Sequence, residues 1–263
     1  MTNPVICPHC GSDEFWAVRG HALKCSACRV ERVAIPARPV TGFALTRRGW
    51  LSAIDCLLRD GTGTAMALEL GMAERTAYKV IAALQRAMCG DAPVRLRGAR
   101  EADATYVGGD WANKRVHIRA KGTKRGRGTS KRCVFGVVQR RGPVIVWAVP
   151  GERREVVGPL IAAAVEPGAT VCTDECGAYG HLAELGFGHE TVNHGAGEYA
   201  RGDVHTQTLD GYWGRLKNFL AAKGGVQPQH LMRFVGEHSW RYNNRGLSRK
   251  EQALKLYGLL VQK

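Results

Sequence analysis

Along the 263-residue chain the spacing of apolar positions changes character several times. The first 34 residues hold one short apolar run, Glu14-Phe15-Trp16-Ala17-Val18, which reads as a strand. Pro36-Ala37-Arg38-Pro39 follows as a linker. From 47 to 59 the apolar positions take helical spacing (Trp50, Leu51, Ile54, Leu57, Leu58). Asp60-Gly61-Thr62-Gly63 breaks that helix, and Thr64 is expected to cap a short helix over 65–70. Gly71 ends it, and 73–88 continues as a longer helix with Ala77, Val80, Ile81 and Leu84 inward. Short helix, glycine turn and longer helix form a helix-turn-helix pattern, with Arg75, Lys79 and Arg86 at outward positions of the second helix.

Beyond a Pro/Gly-containing connector at 90–98 the pattern turns to α/β. Strands are expected at 102–107, 133–139 and 144–149, the last two joined through Arg140-Arg141-Gly142-Pro143 as a hairpin. A helix at 156–165 and a strand at 170–173 then deliver Asp174. A helix at 178–185, a short strand at 189–192, helices at 208–222 and 228–242 and a tail helix complete the chain. Three meandering strands followed by strands alternating with helices is the order of a ribonuclease-H-like α/β fold, a mixed sheet with flanking helices. No window approaches 18 uninterrupted apolar residues, so no membrane span is expected. Met1-Thr2-Asn3-Pro4 lacks the basic and apolar stretches of a secretory signal.

Charge narrows the class of partner. Lys and Arg number 38 against 23 Asp and Glu, a formal charge of +15. A folded chain this basic points to a polyanion, and double-stranded DNA is the expected partner. Nine basic residues, Lys114, Arg115, Arg119, Lys121, Lys124, Arg125, Arg127, Lys131 and Arg132, fall in one glycine-broken polar run without an acid from Trp111 to Arg132. That run reads as an arm lying on phosphates, with salt-dependent and sequence-blind binding.

Nine cysteines, an odd number, include two C-x-x-C pairs, Cys7/Cys10 and Cys25/Cys28. Each pair points two thiolates at one ion, and together they make a tetrahedral Cys₄ site for structural Zn²⁺. A block this small needs the metal to hold it. With no secretory signal, the pattern reads as reduced, cytoplasmic chemistry rather than a disulfide framework.

In so basic a chain, acids at strand ends draw notice. Asp103 lies on the first α/β strand, Asp174 directly follows the fourth, and Asp210 opens a long helix. The first and fourth strands of a ribonuclease-H-like sheet are neighbours, so these acids would converge. Close carboxylates repel unless cations neutralise them, and oxygen ligands suit Mg²⁺ or Mn²⁺. Two such ions activate a water or a 3′-hydroxyl at a phosphodiester. Asp210, Gly214 and Lys217 share one helix face, which would place a cation against a phosphate beside the metals.

Four stretches carry a resemblance. Asp103-Ala104-Thr105-Tyr106-Val107-Gly108-Gly109, Thr173-Asp174-Glu175-Cys176-Gly177-Ala178-Tyr179, the run from Asp203 through His205, Gln207 and Asp210 to Trp213, and Arg241-Tyr242-Asn243-Asn244-Arg245 resemble the ISXO2-like branch of bacterial insertion-sequence transposases. The resemblance implies a ribonuclease-H-like core with a DDE-type triad and two divalent ions, cutting and joining DNA at the inverted repeats of an element. Carried over, it makes Asp103, Asp174 and Asp210 the ion-binding acids and Lys217 the accompanying base. The chain departs from the family in having Ala104 where a Glu is usual, and Asp210 where the third acid is usually Glu. Gln207 stands where Asn is common and is a further third-position candidate, while His194 and His205 lie within matching stretches.

The organisation so read is a zinc ribbon at 1–34, a helix-turn-helix module at 42–92 and a catalytic core at 98–263. Synapsis of two element ends calls for a homodimer or higher assembly. The rival readings are a non-catalytic DNA-binding regulator derived from a transposase, favoured by Ala104 and Asp210, and a structure-specific nuclease on the same fold.

Overall fold

The computed structural model describes residues 15–18, 22–27, 29, 31–33, 43–93, 95–98, 100–108, 116–120, 131–192, 197–198 and 200–261. Clustering of the backbone gives two compact units, 1–84 with 249–263, and 85–248.

In the first unit, β1 (Phe15–Val18), β2 (Ala22–Cys25) and β3 (Glu31–Val33) form an antiparallel sheet. Cys7, Cys10 and Cys28 lie outside the described residues, and Cys25 is described only as backbone of β2. Helix α1 (Arg47–Leu58) buries Trp50, Ile54, Leu57 and Leu58 and packs on the tail helix α8 (Arg249–Val261). Helix α2 (Gly63–Leu70) begins one residue after its cap, which is Thr62 and not Thr64. The Thr62 hydroxyl accepts from the Ala65 N–H at 3.1 Å, because Thr62 has the extended backbone that a cap requires. Thr64 instead donates its hydroxyl to Glu74. Gly71, at φ +60°, closes α2 and turns the chain into α3 (Glu74–Gly90). Arg75, Lys79 and Arg86 are exposed on α3.

The second unit is built on a five-stranded mixed sheet, β6-β5-β4-β7-β8. Its strands are β4 (Arg100–Val107), β5 (Arg132–Gln139), β6 (Val144–Val149), β7 (Thr170–Asp174) and β8 (Gly188–Val192). Counted within the unit, the order is 3-2-1-4-5. A four-residue helix, α4 (Val116–Arg119), lies in the polar run; 109–115 and 121–130 are outside the described residues.

Each sheet face is covered. On one side Ala102, Phe135, Val137 and Val171 pack with α5 (Arg154–Ala164) and the turns around Tyr179 and Leu182. On the other, Val134, Val138, Val144 and Val146 pack with α6 (Gln207–Ala222) and α7 (Leu231–Asn243). A small hairpin, β9 (Ala200–Arg201) and β10 (Val204–His205), leads into α6. The helix expected at 178–185 is a single 3-10 turn, Gly177–Tyr179, followed by i→i+3 turns. The turns run on to Gly186, at φ +81°, where the chain bends back toward β8.

Candidate active site

Strand β4 pairs antiparallel with β5, β5 antiparallel with β6, and β4 parallel with β7. With β7 parallel to β8 as well, strands β4, β6, β7 and β8 run the same way, and their carboxyl ends share one sheet edge, the edge at which open α/β sheets bind ligands. The β4–β7 register sets Arg100 against Val171 and Glu101 against Cys172. The ladder ends at that pair; its alternation puts Asp103 and Asp174 on the same face, and the charge of Asp174 acts on Asp103. Neighbouring strands lie about 4.8 Å apart.

The turn after β6 contributes an acid that the sequence reading passed over. Glu152 follows β6, and ligand atoms of Glu152, Asp174 and Cys176 all lie within 4.8 Å of one another. The buried Tyr179 hydroxyl donates to Glu152 Oε1 at 2.7 Å, and the Cys176 N–H donates to Asp174 Oδ1 at 3.1 Å. Asp103 is only partly open to solvent, and burial pushes its carboxyl up to about 7. The Trp213 hydrogen bond pulls the other way, and the charges of Asp174 and Glu152 add to the rise. Burial, with Glu152, Asp103 and Asp174 nearby, likewise holds the Tyr179 phenol well above its usual range, so it stays a donor.

Helix α6 reaches this edge through two contacts with β4. Glu101, fully buried, accepts from the Thr208 N–H at 2.8 Å and the Leu209 N–H at 3.1 Å. It thus caps α6 from a neighbouring strand, whereas the local cap residue Thr206 makes no side-chain capping bond. Arg140 Nε donates to Glu101 at 2.7 Å, and His205 Nδ1 lies 3.2 Å away. Two residues along β4, Asp103 Oδ2 accepts from Trp213 Nε1 at 2.8 Å. Opposite Asp103 on β5 is Gly136, where a Cβ would stand 2.8 Å from the Trp213 ring. Glycine there lets the indole lie against the sheet.

The other sequence-predicted residues of α6 turn outward. Asp210 and Lys217 are exposed with Gly214 between them, and Leu209, Trp213, Leu216 and Leu220 are buried. Asp210 Oδ2 accepts from the Thr206 hydroxyl at 3.4 Å. Asp174 and Glu152, rather than Asp210, are the carboxylates whose charge raises Asp103. Gln207 is exposed at the first position of α6, His205 faces Glu101, and His194 lies outside the described residues. The Arg241–Arg245 stretch has a structural role: Asn243 both accepts from the Val144 N–H and donates to the Val144 C=O, closing the start of β6.

Converging carboxylates at one partly desolvated edge fit a hard divalent cation, which would relieve their repulsion. Among the described residues Glu152 and Asp174 bring oxygen donors together with the Cys176 thiol, a softer donor that suits such an ion least; Asp103 stands outside that group, although the charges of Asp174 and Glu152 reach it. Sequence reasoning missed Glu152 because it sits in a polar turn with no helical or strand spacing to mark it, and only the parallel course of β6 brings it here.

Residues 95–243 match the ISXO2-like transposase domain, a stretch that runs from just before β4 to the end of α7. The chain belongs to the ISXO2-like transposase family. An uncharacterized protein in transposable element ISH50 of Halobacterium salinarum is 30% identical over 202 residues, covering 73% of this chain and 68% of that one. An uncharacterized transposase-like protein of Haemophilus influenzae is 26% identical over 112 residues, 43% of this chain and 90% of its own length. The transposase match thus falls on the unit whose carboxyl edge gathers the acids. Among the described residues no helix is long and apolar enough to cross a membrane.

Proposed function

We propose that this transposase cuts DNA at the inverted repeats of an insertion sequence and joins the freed ends to a target, through a ribonuclease-H-like core. The observation that supports the reading is the parallel β4–β7 pairing, which leaves Asp103 and Asp174 on one face with the charge of Asp174 acting on Asp103, inside the matched domain. The 3-2-1-4-5 strand order supports the same fold.

Asp103 and Asp174 hold the divalent ions, with Glu152 from β6 and Asp210 from α6 as further oxygen donors. The chemistry that two Mg²⁺ or Mn²⁺ ions supply among such carboxylates is activation of water or a 3′-hydroxyl and neutralisation of the leaving oxygen. The exposed face of α6 takes the DNA backbone: a Cβ at Gly214 would meet nothing within 4 Å, and Lys217 stands one turn further along to pair with a phosphate. Exposed Arg75, Lys79 and Arg86 make α3 of the 42–92 module a DNA-reading helix. The 1–34 ribbon, with Zn²⁺ on Cys7, Cys10, Cys25 and Cys28, and the basic run at 110–132 add grip. Two copies hold two element ends, and the work is cytoplasmic.

The test uses duplex oligonucleotides bearing the inverted repeats that flank the gene. With Mg²⁺ the wild-type protein should nick them and give joined products, while Asp103→Ala and Asp174→Ala give neither. Cutting by either variant refutes the assignment of these acids. Cutting without joining converts the reading to a nuclease, and metal-independent binding to intact DNA converts it to a regulator.

A further inference from the structure

We propose that Trp213 is a positioning residue for the carboxylate site: its indole N–H holds one oxygen of Asp103 so that the other faces the metal, with Glu101 fixing the helix that carries the indole. The inference rests on the metal-site reading above and deepens it.

Glu101 and Asp103 are two residues apart on one face of β4, a rise of about 7 Å. Their partners on α6, the N–H groups of Thr208 and Leu209 and the indole of Trp213, are four to five residues apart, also about 7 Å along a helix. The helix is therefore pinned to the strand at two points with matching rise and cannot slide or roll without breaking one of them. Both pins are built for it. Glu101 is fully buried and accepts from two backbone N–H groups, the Thr208 hydroxyl at 2.8 Å and Arg140. Gly136 clears the space in which the Trp213 ring lies. The indole can donate and cannot accept, so it holds Oδ2 through its single N–H, beside the hydrogen bond that the Ala104 backbone N–H gives the same carboxyl. Partners of this kind orient metal ligands, and their loss typically weakens metal binding by about 10- to 100-fold.

The test reads Mn²⁺ binding to the full-length, DNA-free protein by calorimetry. Trp213→Phe keeps an aromatic ring of similar breadth and removes the donor. Its Mn²⁺ affinity should fall at least roughly 10-fold, with circular dichroism and melting otherwise close to wild type. Glu101→Gln should weaken Mn²⁺ binding in the same direction. Because Trp213→Phe could misfold, a measurement on wild-type protein stands beside it. With ¹⁵N-labelled tryptophan, one indole N–H resonance should shift on Mg²⁺ addition and stay still in Asp103→Asn. Metal binding that is lost in Asp103→Asn, together with a Trp213→Phe affinity equal to wild type or indole resonances blind to Mg²⁺, overturns the inference and leaves the site reading intact. Undiminished Mn²⁺ binding in Asp103→Asn overturns the site reading itself.

Discussion

Replacing Asp103 by Asn isolates the electrostatic cost of the carboxylate edge. The Asp103 carboxyl rises from its ordinary 3.8 to about 7 on folding, chiefly through burial. A shift of that size corresponds to ~4 kcal/mol between its two protonation states. The sign follows from proton uptake. Between pH 4 and 7 the folded protein holds a proton on Asp103 that the unfolded chain has released. Stability contributed by Asp103 is therefore full below pH 4, declines as pH rises to 7, and stays low above it. Asn cannot ionise and still offers an oxygen to the Trp213 N–H. In the metal-free protein, Asp103→Asn should thus become progressively more stable than wild type across that interval, levelling off above pH 7. Urea unfolding in EDTA at half-unit pH steps measures the difference. Taking the difference cancels other groups, including His238, which burial lowers to about 4 and which acts in the opposite sense. Saturating Mg²⁺ should restore wild-type stability by RT ln(1 + [Mg²⁺]/Kd), about 2.7 kcal/mol at a hundred times Kd, and leave Asp103→Asn unmoved. A stability gap that does not change with pH would refute the reasoning.

Three further outcomes test the surrounding structure. Gly136→Ala drives a Cβ to within 2.8 Å of the Trp213 ring and should cost about 1–3 kcal/mol in urea unfolding, with weaker Mn²⁺ binding alongside. Thr62→Ala should cost ~1 kcal/mol by loss of the α2 cap, and Thr64→Ala less, a ranking that thermal melts can read. If the proposed role of Lys217 holds, Lys217→Ala should slow DNA cutting more than it weakens filter-bound DNA affinity.

How much of this was legible in the chain differs between elements. The α/β alternation, the β5–β6 hairpin and the buried stripe of α6 stand out because each follows a simple period over many residues. Asp174 ends β7 as the sequence suggests, whereas Asp103 lies mid-way along β4, because the strand begins at Arg100 and not at Ala102. Local chemistry failed where two similar choices stood side by side: Thr62 and Thr64 are both good caps, and the backbone angle at 62 decides. It failed again at 178–185, where apolar spacing suits a helix while the chain takes a 3-10 turn and successive i→i+3 turns. Glu101 gave no signal as a cap, because the helix end it satisfies is 107 residues away.

The roles of Glu152 and Asp210 separate on the same electrostatics. Glu152 lies within 4.8 Å of Asp174 and contributes charge that raises Asp103, while the exposed Asp210 is absent from the groups that do so. Removing a like charge lowers the value of a neighbouring carboxyl. Glu152→Gln should therefore move the pH interval of the Asp103→Asn stability gap downward, whereas Asp210→Asn leaves it in place. Both variants are nearly isosteric, so packing changes little. If Asp210→Asn shifts the interval and Glu152→Gln does not, the acid from α6 is the closer partner of Asp103, and Glu152 is a structural acceptor for Tyr179. A shift from Glu152→Gln alone makes Glu152, in the turn after β6, the closer partner of Asp103, and leaves Asp210 to the exposed face of α6.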